Sequence, residues 1–431
     1  MAAEAARFGL TVQTSFSKTD RAGWTAQEKS MWKTQCQLGG EKKATKFMVK
    51  YFAKKNGEPE KKKEPKADAA ALHLAMAAST EAQEPKEQLP AAKPGTMVCA
   101  GSLDWVTVGG GSIAADDQNN LWGFHRISTP VQVRSVASGT AARHVIAIDT
   151  DGCGWSWGRN CNGQLGLGDT EPRALPTRIT GLPSGFKAEG AACGRHHTLL
   201  LAGSTVLSCG GNAAGQLGLG TVGPAEDGPF AKFKKVSSSW AGDASVTSVA
   251  CGAEFSVAVS SAGIVASWGH PQYGQLGHGS DGEYIAKQGK TDYNFQKTPL
   301  AIDFGQASGD GASSAIKIDE IACGNNHCIA RTREGAVYTW GFGGYGRLGH
   351  RGSARDEMRP RMIEELDGGP ARSSARMVRA GATCCYAVTY KGQTLHWGKT
   401  KHQGEAPTRP TQVPDLNGWT VRGTNCWLPI R

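Results

Sequence analysis

The sequence predicts an all-β fold of the propeller type. A nine-residue pattern, G-x-x-x-x-G-[QR]-L-G, recurs four times at intervals of 52, 59 and 72 residues. Each copy follows a segment that reads as a β-hairpin and closes on Trp-Gly or a near variant. Glycine is abundant, at 58 of 431 residues, beside 12 tryptophans. Many tight turns between short, aromatic-bearing strands produce that composition, whereas collagen would need a three-residue period that is absent.

The four copies are GRNCNGQLG at 158–166, GGNAAGQLG at 210–218, GHPQYGQLG at 269–277 and GFGGYGRLG at 341–349. Their bounding glycines, Gly158, Gly166, Gly210, Gly218, Gly269, Gly277, Gly341 and Gly349, are expected to permit the φ > 0 of a turn after an inner strand. Leu165, Leu217, Leu276 and Leu348 are expected to plug the gaps between blades. Upstream, Ala192-Cys193-Gly194, Ala250-Cys251-Gly252 and Ala322-Cys323-Gly324 each open a short run expected to alternate inward and outward: His197–Leu201, Phe255–Val259 and His327–Arg331. A turn and a second strand follow, closing on Gly210, Gly269 and Gly341.

Weaker copies flank these. Segments ending at Gly101, Gly158 and Gly398 bring the strand ends of Trp-Gly type to six. One small four-stranded blade cannot bury both faces, but blades stacked around a ring can. Trp419 reads as the start of a further repeat, and the chain stops at Arg431. The last blade is therefore expected to be incomplete.

Residues 1–95 have another texture. They hold 17 Lys and Arg against 11 Asp and Glu, so they carry +6 of the formal net charge of +10. The capping-box pattern Thr25 to Glu28 and the apolar stripe Phe47, Met48, Tyr51 and Phe52 predict two short helices. From about residue 58 the composition is that of a disordered linker. The division expected is a basic extension over 1–95 and a propeller over 96–431. Lys61, Lys62 and Lys63 are candidates for a localisation signal.

No apolar run approaches the roughly 18 residues that cross a bilayer. No signal-peptide core and no N-x-[ST] sequon occurs, so neither membrane insertion nor secretion is expected. None of the 12 cysteines forms a C-x-x-C pair. Three of them recur once per repeat, about one blade apart and beyond disulfide reach. Small buried thiols are the expectation, with no metal and no cofactor. His196, His197 and His327 sit near cysteines, but His197 and His327 fall where the third repeat has Phe255, which marks a packing position. The G-x-G-x-x-G string at 341–346 is in register with the other repeat turns, so it is read as a turn. No Ser-His-Asp or Cys-His arrangement can be ordered, and no small-molecule substrate or bond-making site is expected.

The motifs resemble those of the regulator-of-chromosome-condensation repeat family, and more closely its second, mitotic branch. NNLWGFHR at 119–126, GHGSDGEYIA at 277–286 and WGFGGYGRLGH at 340–350 carry that likeness, which runs from about Met97 to Trp419. The resemblance implies a seven-bladed propeller and a small GTPase as partner. It also implies guanine-nucleotide exchange as the most that could be called enzymatic, together with a role in chromosome or spindle function. A nuclear or cytoplasmic, cytoskeleton-associated location goes with it. A non-catalytic scaffold on chromatin, microtubules or another assembly is the alternative reading.

Two stretches are candidates for partner contact. The longest interval between motifs holds Asp281, Glu283, Tyr284, Lys287 and Tyr293, and extra residues in a repeat usually map to one loop face. Trp122 and Arg126 are the residue types that dominate interface hot spots. A solvated hairpin and a packing tryptophan are the alternatives for these two stretches.

Overall fold

Short β-forming segments separated by glycine turns pair with their sequence neighbours, because so few turn residues allow no other partner. The computed structural model describes residues 98–102, 120–127, 131–224, 228–286, 290–305, 316–369, 374–400, 406–413 and 416. All of them belong to the second of the chain's two units, Gln88–Arg431. The helices expected before residue 95, Lys61 to Lys63, Lys287 and Trp419 lie outside the described residues.

The described residues form five four-stranded antiparallel blades and two two-stranded sheets. One pair joins β1 (Val98–Ser102) to β2 (Asn120–Arg126). The first blade is β3 (Val133–Ala137), β4 (His144–Asp149), β5 (Gly154–Gly158) and β6 (Arg173–Arg178). The second is β7 (Gly190–Cys193), β8 (His197–Ala202), β9 (Thr205–Gly210) and β10 (Phe230–Lys235). The third runs β11 (Val246–Cys251), β12 (Phe255–Ser260) and β13 (Val265–Gly269). It then projects a hairpin, β14 (Glu283–Ile285) and β15 (Thr291–Tyr293), before its outer strand β16 (Gln296–Ala301). The fourth is β17 (Ile318–Cys323), β18 (His327–Thr332), β19 (Val337–Gly341) and β20 (Glu357–Met362). The fifth is β21 (Ala375–Ala380), β22 (Cys384–Thr389), β23 (Thr394–Gly398) and β24 (Thr411–Gln412).

Two expectations change. The Ala-Cys-Gly segments do not open the second strand of each blade; they end a separate inner strand and turn into the next. The runs after them do not alternate either. β12 and β18 are buried at all six positions, because each is covered on both faces by neighbouring blades. Outer strands β6, β10, β16 and β20 are instead largely exposed, and three carry proline (Pro176, Pro299, Pro360). Proline and basic side chains on an outer edge suppress edge-to-edge pairing.

The blades lock through the repeat motif. The hydroxyls of Ser156, Ser208, Ser267 and Thr339 donate to the carbonyls of Leu165, Leu217, Leu276 and Leu348, at 2.6–2.9 Å. Those four leucines are fully buried. Trp268 and Trp340 each donate their indole N–H to the carbonyl of the preceding blade's motif glutamine, Gln216 at 2.8 Å and Gln275 at 3.0 Å. The last motif glycine makes room for that tryptophan: a Cβ on Gly218 or Gly277 would lie 2.8 or 3.0 Å from the indole nitrogen. In the second blade Cys209 stands where the others have tryptophan, and Phe233 fills the space against Gly166. Core clusters accordingly bridge blades, as when Phe255, Val257 and Val259 pack with Ile318, Ile321 and Trp340. Each such side chain contributes about 1.5–3 kcal/mol on burial.

A second recurrent position opens β4, β8, β12, β18 and β22, where His144, His197, Phe255, His327 and Cys384 pair with the closing glycine of the next strand. His144 Nε2 meets the Thr198 hydroxyl at 2.7 Å and His197 Nε2 meets that of Ser256 at 2.9 Å. Each hydroxyl donates its proton to a motif glutamine carbonyl, so the imidazole must be the donor at Nε2. His327 has no such hydroxyl opposite, and among the described residues neither ring nitrogen has a hydrogen-bond partner. Substituting His327→Phe, the residue used at this position in the third blade, is expected to stabilise the protein by about 1–2 kcal/mol. His197→Phe, which loses a hydrogen bond, is expected to gain nothing at neutral pH. Urea midpoints of the two variants check this, and equal shifts would refute it.

Candidate interaction surface

Each blade has two connections on one face: the turn from its first strand to its second, and the motif loop from its third to its fourth. One backbone bond repeats in all five blades and holds them together there. Arg159 N donates to Arg143 O, Gly211 N to His196 O, His270 N to Glu254 O, Phe342 N to Asn326 O, and Lys399 N to Thr383 O, at 2.7–3.0 Å. Everything that leaves these loops stands on this face, including the hairpin β14–β15.

The hairpin has a local cause. Ser280 and Asp281 turn the chain by accepting the N–H groups of Gly282 and Glu283, at 2.9 and 3.1 Å. Gly282 sits at φ +67 with Pro271 against it, where a Cβ would come within 2.8 Å. The ladder then pairs Glu283 with Tyr293, Tyr284 with Asp292 and Ile285 with Thr291, and Asn294 N closes onto Gly282 O at 2.8 Å. Tyr293 and Phe295 pin the base by packing on His270, with ring centroids 5.2 and 5.1 Å away. Burial holds the His270 imidazole below its ordinary value, so it packs as a neutral ring.

Past that base the hairpin is solvent-facing. Ile285 is 79 % exposed and Tyr284 41 %. The Tyr284 hydroxyl donates to Asp292 at 3.1 Å, and that bond raises its pKa above the ordinary phenol value. Asp281, Glu283, Tyr284 and Tyr293 are thus brought onto one projection, with Asp292 as a fifth member. Trp122 and Arg126 are not joined to it: both lie on β2, in a different sheet, and their side chains lie outside the described residues.

The motif-loop face also carries a cationic cluster that sequence reading missed. Arg143, Arg159 and Arg195 surround His196, whose pKa is lowered first by burial and then by the three guanidinium groups. Arg195 pairs with Glu254 at 3.2 Å, while among the described residues Arg143 and Arg159 form no salt bridge. The available signal was positional, since Arg143 and Arg195-His196 immediately precede the buried His144 and His197. Elsewhere the described cysteines are free thiols, and burial pushes Cys193, Cys209 and Cys251 up, against thiolate chemistry. The Gly341–Gly346 string follows a strand but leads through a 3-10 turn to an outer strand, without the helix a nucleotide loop requires.

The model of the regulator of chromosome condensation (RCC1) repeat matches residues 151–201, 204–259, 262–331 and 334–388. Protein RCC2 homolog of Xenopus laevis is 39% identical over 363 residues, which cover 80% of this chain and 69% of that protein. Protein RCC2 of Homo sapiens is 38% identical over 345 residues, covering 77% of this chain and 64% of its own length. The chain thus spans about two thirds of the curated relatives it matches. Among solved structures, Prp20p of Saccharomyces cerevisiae, described with its binding properties to Gsp1p and histones, covers 74% of this chain and 86% of its own. Its TM-score is 0.46 and its identity 18%. With four consecutive repeats matched and the motif glycines, leucines and tryptophans serving as inter-blade locks, the chain belongs to the regulator of chromosome condensation (RCC1) repeat family and is similar to RCC2.

Proposed function

We propose that this chain is a protein-interaction propeller of a chromosome-linked family that engages a small GTPase through its motif-loop face. It acts on that GTPase as a guanine-nucleotide exchange factor or another regulator. The observation that carries the reading is the hairpin β14–β15. It adds nothing to the blade core, yet it is pinned at its base and presents Tyr284 and Ile285 beside Asp281, Glu283 and Asp292. Aromatic anchors with a charged rim are what a specific interface needs. Exchange requires no covalent step, and carboxylates brought to a nucleotide's phosphate and magnesium site would weaken its grip. Lys287, Trp122 and Arg126 are further candidates for partner contact by residue type alone. Lys61 to Lys63 are assigned to nuclear delivery, in keeping with a nuclear or chromosome-associated place.

A scaffold on chromatin, microtubules or another assembly is the second reading. Arg143, Arg159 and Arg195 favour it, because clustered cations suit an anionic surface.

Asn294 N already bonds to Gly282 O and Glu283 pairs with Tyr293, so residues 284–292 can be replaced by a two-residue turn without straining the blade. In that variant, GTPase binding and nucleotide release are expected to fall at least about tenfold. Stability is expected to stay within about 0.5 kcal/mol. A release assay over a panel of small GTPases checks this. Unchanged activity without the hairpin would remove it as the contact. Binding to none of the GTPases would leave the scaffold.

A further inference from the structure

At its seventh position the fourth motif copy departs from the other three, and its loop takes a different shape. In the first three the seventh residue is glutamine, and its Oε1 accepts the N–H two residues earlier. Asn162 donates to Gln164 at 2.9 Å, Ala214 to Gln216 at 2.8 Å and Tyr273 to Gln275 at 2.7 Å. The fourth copy has Arg347, which offers no acceptor. Without it, Gly344–Gly346 forms a 3-10 turn with Tyr345 at φ 63, ψ 18. Among the described residues Tyr345 is the one non-glycine residue at positive φ. A left-handed conformation costs such a residue about 1–2 kcal/mol, and Tyr345 recovers little of it by burial, being 54% exposed.

The strained ring lies between two cations. Buried Arg347 donates Nε to Gly344 O at 2.8 Å and sets its guanidinium 4.6 Å from the Phe342 centroid and 5.6 Å from that of Tyr345. Lys399, from the motif-loop side of the fifth blade, places its ammonium 4.6 Å from the Tyr345 centroid. Phe342 packs in turn on Tyr273 of the third blade at 4.7 Å. Among the described residues, neither cation forms a salt bridge and the Tyr345 hydroxyl has no hydrogen-bond partner. The spot therefore combines an exposed aromatic held at a conformational cost, a free donor at its tip and an uncompensated ammonium beside it. Strain of this kind persists where the surrounding structure enforces it, and it concentrates at binding sites.

We propose that Tyr345 and Lys399 form a binding spot for an aspartate- or glutamate-rich segment of a partner protein, the Lys399 ammonium and the Tyr345 hydroxyl receiving its carboxylates. A protein segment fits better than a nucleic acid. The ring's π-cloud is already engaged by cations, so it offers poor stacking for a base, and two cations make no track along a phosphate backbone. The site uses none of the hairpin residues, so it stands or falls apart from the GTPase reading.

The test is fluorescence anisotropy of the full chain with a labelled glutamate-rich peptide, with a labelled oligothymidylate of equal charge alongside. The unsubstituted protein should bind the peptide, more weakly as salt rises. Lys399→Ala and Tyr345→Gly should each weaken binding at least about fivefold. Removal of the hairpin should leave it unchanged. Tyr345→Gly should hold or raise the unfolding midpoint, because glycine takes this backbone without strain. The proposal is overturned if the peptide fails to bind, if the two variants bind like the parent, or if only the oligothymidylate depends on these residues. A Tyr345→Gly variant that loses stability along with binding would likewise overturn it, by making the tyrosine a packing residue.

Discussion

Replacing Gly210 by alanine is expected to cost at least about 3 kcal/mol and to deplete the folded protein at 37 °C. Two independent effects add. Gly210 sits at φ +107, which an L side chain rarely adopts. A Cβ there would also lie 2.3 Å from the His196 carbonyl oxygen, 2.9 Å from the His197 Cα and 3.1 Å from the Gln164 Cα. The obstructing atoms are all backbone: His196 and His197 adjoin the paired strand of the same blade and Gln164 belongs to the neighbouring blade, so relief requires both the strand pair and the blade contact to shift. Backbone strain accounts for about 1–3 kcal/mol and overpacking for a similar amount. Gly181 is the matched control. It has φ +75 with nothing within 4 Å of the added carbon, so Gly181→Ala should show only the strain, about 1 kcal/mol. Urea unfolding of the two variants separates the effects, and equal losses would show that conformation alone sets the glycine requirement.

Mild acid is expected to destabilise the propeller steeply. Burial pulls the pKa of His144, His197 and His327 from the ordinary 6.5 to about 3. His350, also buried, lies at about 4. Unfolded, these imidazoles take up protons near pH 6.5; folded, they stay neutral until far lower. Between those values the unfolded state binds more protons, so stability is full above about pH 6.5 and falls as the pH falls. Each fully titrating imidazole contributes about 1.4 kcal/mol per pH unit, so the first three together give about 4 kcal/mol per unit below about pH 6. Urea midpoints at pH 7, 6 and 5 measure the slope. His197→Phe should reduce it by about 1.4 kcal/mol per pH unit. A variant with the parent's slope would show that the acid response originates elsewhere.

Local chemistry made much of the fold legible. Turn glycines, the Trp-Gly closures and the spacing of the motif marked the central hairpin of every described blade, since a hairpin is encoded within a few residues of its own turn. The first and fourth strands were less legible. The inner strands are short, and the outer ones are half-solvated segments such as Arg173–Arg178, which lack the apolar pattern of a strand. Alternation failed for β12 and β18 because it presumes one wet face, and blade stacking removes it. The matched repeats also run out of phase with the blades. The match at 151–201 begins before the third strand of one blade and ends in the second strand of the next.

The interaction surface was half legible. Asp281, Glu283, Tyr284 and Tyr293 stood out because an insertion breaks the repeat interval. Tyr345 and the arginines around His196 did not, because their significance lies in residues from other blades. Whether a tyrosine is strained, or an arginine lacks a carboxylate, depends on neighbours that the chain reaches only after folding.

By itself the sequence determined the repeated unit: where each hairpin turns, which glycines must stay bare, and which leucines plug the gaps between blades. Those are consequences of backbone sterics and side-chain size acting over fewer than ten residues. Only the tertiary structure decided which indole meets which carbonyl, which buried histidine finds a hydroxyl, and which cations share one face. Those pairings join residues about fifty positions apart, and a distance of that length along the chain leaves no local pattern to read.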